Sequence, residues 1–149
     1  MKLNNHTTSS VISYLESLED HSGRFYQVLA DRFPEHASLF AGFARESKTN
    51  SVLISRTYQE TVTDALETAF SFEGLSLEDA LPKGTLNENV DFARSIEESL
   101  NLERTVSELY IDIAKRSLGH LSTIQNVFVR IGNKRKARIP ALEELKTQI

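Results

Sequence analysis

Between Ser9 and Phe33 the apolar side chains recur at Val11, Leu15, Leu18, Phe25 and Leu29, which places them on one stripe of a helix. Ser9 or Ser10 can cap its first turn, and Pro34 ends it, because the proline ring excludes the α conformation at Phe33 and suits the first turn of a new helix. From Glu35 to about Phe70 there is no proline and a single glycine, Gly42. Phe40, Phe43, Ala44, Ile54, Tyr58, Val62 and Ala65 predict a second, long helix there. Ser71 to Gly84 breaks the pattern with Gly74, Pro82 and Gly84, and its leucines predict a crossover that packs along the other elements, with one short turn near Leu77 to Ala80. Thr85-x-x-Glu88 then has the form of a capping box. A third helix carries Phe92, Ile96, Leu100, Val106, Tyr110 and Ile113 inward and ends near Gly119. The fourth runs from about Leu121 through Ile124, Phe128, Ile131 and Ile139 to Leu145, and Pro140 kinks it or starts a new turn.

Two short connections and one long one predict an all-α four-helix bundle, a single domain over 1–149, with hairpins at about 9–70 and 86–147 and the crossover at about 71–85. Composition agrees: 40% hydrophobic and 26% charged residues with 6 Gly and 3 Pro describe an ordinary folded chain with long elements. A formal net charge of -4 provides no global basic field for nucleic acid or an anionic membrane. The absence of cysteine excludes disulfides, thiolate catalysis, Cys-built zinc sites and iron–sulfur centres. The opening residues lack an apolar export signal, and no run approaches the ~18 apolar residues of a membrane span, so a cytoplasmic protein is expected.

The two halves share a spacing. Leu18-Glu19-x6-Tyr26-x3-Ala30 in the first helix is matched by Leu102-Glu103-x6-Tyr110-x3-Ala114 in the third, with Arg32 and Arg116 in register. The following helices open with Phe40-x2-Phe43-Ala44 and Phe128-x2-Ile131-Gly132. Seven residues make almost two helical turns, so each Glu shares the inner stripe with its Tyr. Over nearly the whole chain this resembles the rubrerythrin-like branch of the ferritin-like proteins, whose hairpins each carry a Glu followed by a Tyr on one helix and a Glu-x-x-His on the next. The resemblance implies a ferritin-like bundle in which carboxylates and histidines would hold two iron or manganese ions that handle dioxygen or peroxide.

Carried over residue by residue, the ligand pattern is met at Glu19 and Glu103 only. Counting from Phe40 and Phe128, the Glu-x-x-His positions hold Ser47 and Asn50 in one hairpin and Arg135 and Arg138 in the other. A slip of one residue gives Glu46 with Thr49 and Lys134 with Ala137, and neither register supplies a histidine. His6, His21, His36 and His120 fall in the leader, beside Glu19 or at helix ends. The expectation is a bundle that has lost most of its metal ligands and works without a cofactor, non-catalytic or weakly active, with Glu19, Glu103 and Glu46 as remnants. The alternative is an iron- or manganese-dependent oxidoreductase using these three and an added carboxylate such as Glu98. Family habit and the long amphipathic helices imply a homodimer; the protein partner and substrate are not legible.

Three further readings carry alternatives. Glu19 and Glu103 could also reach a bundle end and be solvated. Tyr26 and Tyr110 could hydrogen-bond carboxylates across the site, although a buried bundle tyrosine ordinarily satisfies its hydroxyl locally. The run Gly132-Asn133-Lys134-Arg135-Lys136-Ala137-Arg138 is the densest charge cluster, ordinarily a solvated face, or else an anion-binding module. A sharper expectation follows from the repeat: ionised carboxylates inside a bundle need a counter-charge, and Lys134, Arg135 or Arg138 is placed to supply it.

Overall fold

Phe33 adopts φ -122° and ψ 77°, outside the α region, because Pro34 follows it. The chain therefore turns through a short 3₁₀ segment, Pro34–His36, between two long helices. The structure, a computed structural model, describes residues 8–61, 91–116 and 122–149. It is all-helical among these residues: α1 (Thr8–Arg32), α2 (Ala37–Thr61), α3 (Phe92–Arg116), α4 (Ser122–Lys136) and α5 (Arg138–Lys146). The expected crossover at 71–85, the Thr85–Glu88 capping box, Val62, Ala65 and Gly119 lie outside the described residues. Helix α3 begins at Phe92, the first apolar position of its hydrophobic pattern. Asp91 caps it, accepting the Arg94 backbone N–H at 2.8 Å on its side-chain oxygen.

The four rods form a bundle of two antiparallel hairpins, with α4 and α5 together making the last rod. In the first hairpin Glu19 meets Asn50 and Tyr26 meets Phe40 and Phe43, so position numbers fall on α2 as they rise on α1. In the second, Tyr110 meets Phe128 and Arg135 reaches Glu103. The inward stripes are those the periodicity placed: Val11, Leu15, Leu18, Phe25 and Leu29 on α1, and Ile96, Leu100, Val106, Tyr110 and Ile113 on α3, are all buried. Ala137 still donates its N–H to Asn133 O at 3.0 Å, so α4 runs almost unbroken into α5. Pro140 cannot donate to the Lys136 carbonyl, and the rod is interrupted there between Arg135 and Arg138.

Gly132 lies at a close approach between α3 and α4. A Cβ at this position would lie 3.1 Å from Tyr110 Cβ and 3.2 Å from Ile111 Cδ1. Gly132→Val is accordingly expected to destabilise the fold by about 2 kcal/mol through overpacking, outweighing the helix propensity it gains. A urea midpoint equal to wild type would contradict this close contact.

Candidate functional site: a buried arginine–carboxylate core

The repeat places Glu19 on α1 and Glu103 on α3 at the same depth of the bundle, and both are fully buried. Each carboxylate is held by the tyrosine of the other half. Tyr26 donates its hydroxyl to Glu103 Oε2 at 2.6 Å, and Tyr110 donates to Glu19 Oε2 at 2.6 Å. Neither tyrosine finds its partner locally, as buried bundle tyrosines ordinarily do, and neither glutamate is solvated. The two bonds are reciprocal, which makes the centre of the bundle approximately two-fold symmetric.

Between the two acids lies Arg135. Its Nε donates to Glu103 Oε1 at 2.7 Å and its NH1 to Glu19 Oε1 at 2.9 Å. The remaining donors reach Ser47 Oγ at 3.0 Å and Ser22 Oγ at 3.1 Å. Arg138 completes the cluster, with NH1 3.2 Å from Glu103 Oε2 and NH2 3.1 Å from Ser47 Oγ. Its other edge holds Glu46 Oε1 through Nε at 2.9 Å and NH2 at 2.8 Å, where the network comes nearest to solvent. Asn50 donates to Glu19 Oε1 at 3.3 Å. The Arg138 guanidinium also packs over the rings of Tyr26 and Phe43, at 5.5 and 5.2 Å from their centroids.

The charge balance explains why such a core is tolerated. Two guanidinium groups face two fully buried carboxylates, and the half-exposed Glu46 lies at the rim. An isolated buried ion would cost several kcal/mol, whereas each acid here accepts bonds from a tyrosine and a cation. Burial acts to lower the pKa of Arg135, but the neighbouring charges of Glu103 and Glu19 outweigh it and push the value up. Burial first, and then the adjacent carboxylate, raise Tyr26 and Tyr110 well above the ordinary phenol value, so both remain neutral donors.

This shift has a pH consequence with a definite sign. A tyrosine whose folded pKa lies above its unfolded value of about 10 contributes stability that is present below that pH and lost as pH rises toward the folded pKa. The unfolding free energy is therefore expected to fall above about pH 10. Phenolate absorbance should show Tyr26 and Tyr110 ionising only as the chain unfolds. Ionisation of all four tyrosines in the folded protein would contradict the two buried bonds.

Every position that the repeat marked as a replaced ligand is in this cluster: Ser47, Asn50, Arg135 and Arg138 are all buried around Glu19 and Glu103. The ordinary reading of the basic run as one solvated face is corrected. Arg135 and Arg138 are 0% and 1% exposed, which leaves Lys136 exposed and Lys134 half-buried at the surface. Helical spacing explains the split, since Arg135 and Arg138 face the same way three residues apart while Lys136 points elsewhere. Glu98 is not part of the site; it pairs with Arg94 on α3 at 3.0 Å. Of the histidines, His21 is half-buried on α1 with its pKa lowered by burial and by Arg24, and His36 stacks on Phe92. His6 and His120 lie outside the described residues. Sequence reasoning missed Ser22, which donates to Leu18 O at 2.8 Å while accepting from Arg135. Its place three residues after Glu19, on the same helical face, was the available signal.

The donor set does not fit the pair of divalent ions that the family resemblance implies. The Oε1 atoms of both glutamates already accept from Arg135, and Glu46 accepts from Arg138. Among the described residues no group of three or more His, Cys, Asp or Glu side chains is placed to hold a metal. No helix among them is long and apolar enough to cross a membrane. No protein-family model matches the chain, and no curated protein or solved structure matches it.

Proposed function

We propose that this chain is a rubrerythrin-like, ferritin-like bundle in which an arginine–carboxylate network stands in place of the two-metal centre, and that it acts without catalysis or cofactor. In this reading it is a cytoplasmic homodimer whose role is structural or interactive. The observation that carries the proposal is Arg135, whose Nε and NH1 occupy the Oε1 atoms of Glu103 and Glu19 at 2.7 and 2.9 Å. A cation between those oxygens would have to displace a guanidinium that has no solvent to move into. Ser47 supports the same reading, because its hydroxyl accepts from both arginines at a position where the resemblance calls for a carboxylate ligand.

The test is metal content and turnover of the intact protein. After exposure to ferrous or manganous ion and gel filtration, wild type is expected to retain far less than one equivalent and to leave the consumption of dioxygen and peroxide unchanged. Retention of two equivalents with oxygen or peroxide consumption would overturn the proposal in favour of a ferritin-like oxidoreductase. A monomeric mass by sedimentation would remove the dimer alone.

A further inference from the structure

The polar cluster divides unequally between the two hairpins. The first, α1 and α2, contributes one fully buried carboxylate, Glu19, with the rim acid Glu46 and the neutral Ser22, Ser47 and Asn50. The second, α3 to α5, contributes Glu103 and both guanidinium groups. Buried charge is thus about minus one on one face and plus one on the other, and the strong bonds from Tyr26, Tyr110 and Arg135 cross between them.

We infer that this division is a recognition code: each hairpin is built to pair with the unlike hairpin, within one chain or from a second copy, and to reject its own kind. Two first hairpins face to face would bury Glu19 against Glu19 with no cation. Two second hairpins would bury four guanidinium groups against two carboxylates. Either arrangement leaves buried charge uncompensated, and repulsive mismatch of this kind sets specificity. The repeat makes the code more specific. Ser47 corresponds to Arg135 and Asn50 to Arg138, while the Tyr–Glu bonds are equal at 2.6 Å in both directions. What matters is that one hairpin, and not both or neither, carries the arginine pair. The inference stands on this geometry and does not depend on the loss of a metal centre.

Three full-length variants test it. S47R/N50R puts arginines on both hairpins, R135S/R138N removes them from both, and the fourfold variant S47R/N50R/R135S/R138N moves the pair to the other half. Each twofold variant is expected to lower Tm by roughly 10–20 °C, and the fourfold variant to recover most of that loss. Refolding the two twofold variants together should give a one-to-one dimer of exchanged hairpins, more stable than either alone, because each hairpin then meets an unlike partner. Recovery in the fourfold chain or in the mixed pair upholds the inference. Absence of recovery in both overturns it, as does a twofold variant with wild-type Tm.

Discussion

Arg135→Met is expected to lower the unfolding free energy by about 3–5 kcal/mol. The side chain is fully buried, and its removal strands Glu19 and Glu103 in the core with Arg138 as the remaining buried cation. The loss reflects that uncompensated charge more than any net strength of the ion pairs. Adding Glu19→Gln should therefore return a substantial part of it, since a neutral amide still accepts the Tyr110 hydroxyl and needs no counter-ion. Urea unfolding of the single and double variants measures both steps. If Arg135→Met proved as stable as wild type, the buried network would not be the element that holds the hairpins together.

The second large effect is a gain. Ser47→Glu, Asn50→His, Arg135→Glu and Arg138→His together would write the Glu-x-x-His pattern of the resembled family into both hairpins. Glu19 and Glu103 are already buried facing the positions changed. The variant is expected to retain close to two equivalents of manganous ion through gel filtration and to lose cooperative unfolding when the metal is chelated, because six carboxyl and imidazole donors would then need a counter-charge. Metal retention no greater than that of wild type would argue that the likeness to a two-metal bundle is one of spacing alone.

Much of the architecture was legible because its causes are local or periodic. The stripe from Val11 to Leu29 and the break at Pro34 depend on side-chain spacing and a ring constraint that no tertiary contact reverses. The cap of α3 was less legible, since an aspartate before an apolar run is common and only the bond from the Arg94 N–H marks Asp91 as the capping residue. For the site, Glu19 and Glu103 were found by a repeat, not by burial propensity, which disfavours any charged residue inside. The arginines posed the harder problem. A run of cations has the composition of a wet surface, and only its register against Phe128 separates Arg135 and Arg138 from Lys136. Ser22 carried no comparable mark, because a serine on an inner stripe is compatible with ordinary helix packing and becomes informative only once a guanidinium reaches it.

Pro140 sets off α5 as a short terminal segment, tied to α3 by the ion pairs Arg104–Glu143 and Glu97–Lys146 as well as by its buried residues. Leu142 and Leu145 seat it in apolar contact, and Arg138 pins its first turn into the charged centre. With no N–H at Pro140 to bond the Lys136 carbonyl, fraying from the C-terminus is expected to reach this point before it reaches α4. Any such fraying withdraws a cation from beside Glu103 and so is opposed from within the core. The C-terminal turns of the protein are thus guarded electrostatically beside the one backbone bond that the proline cannot make.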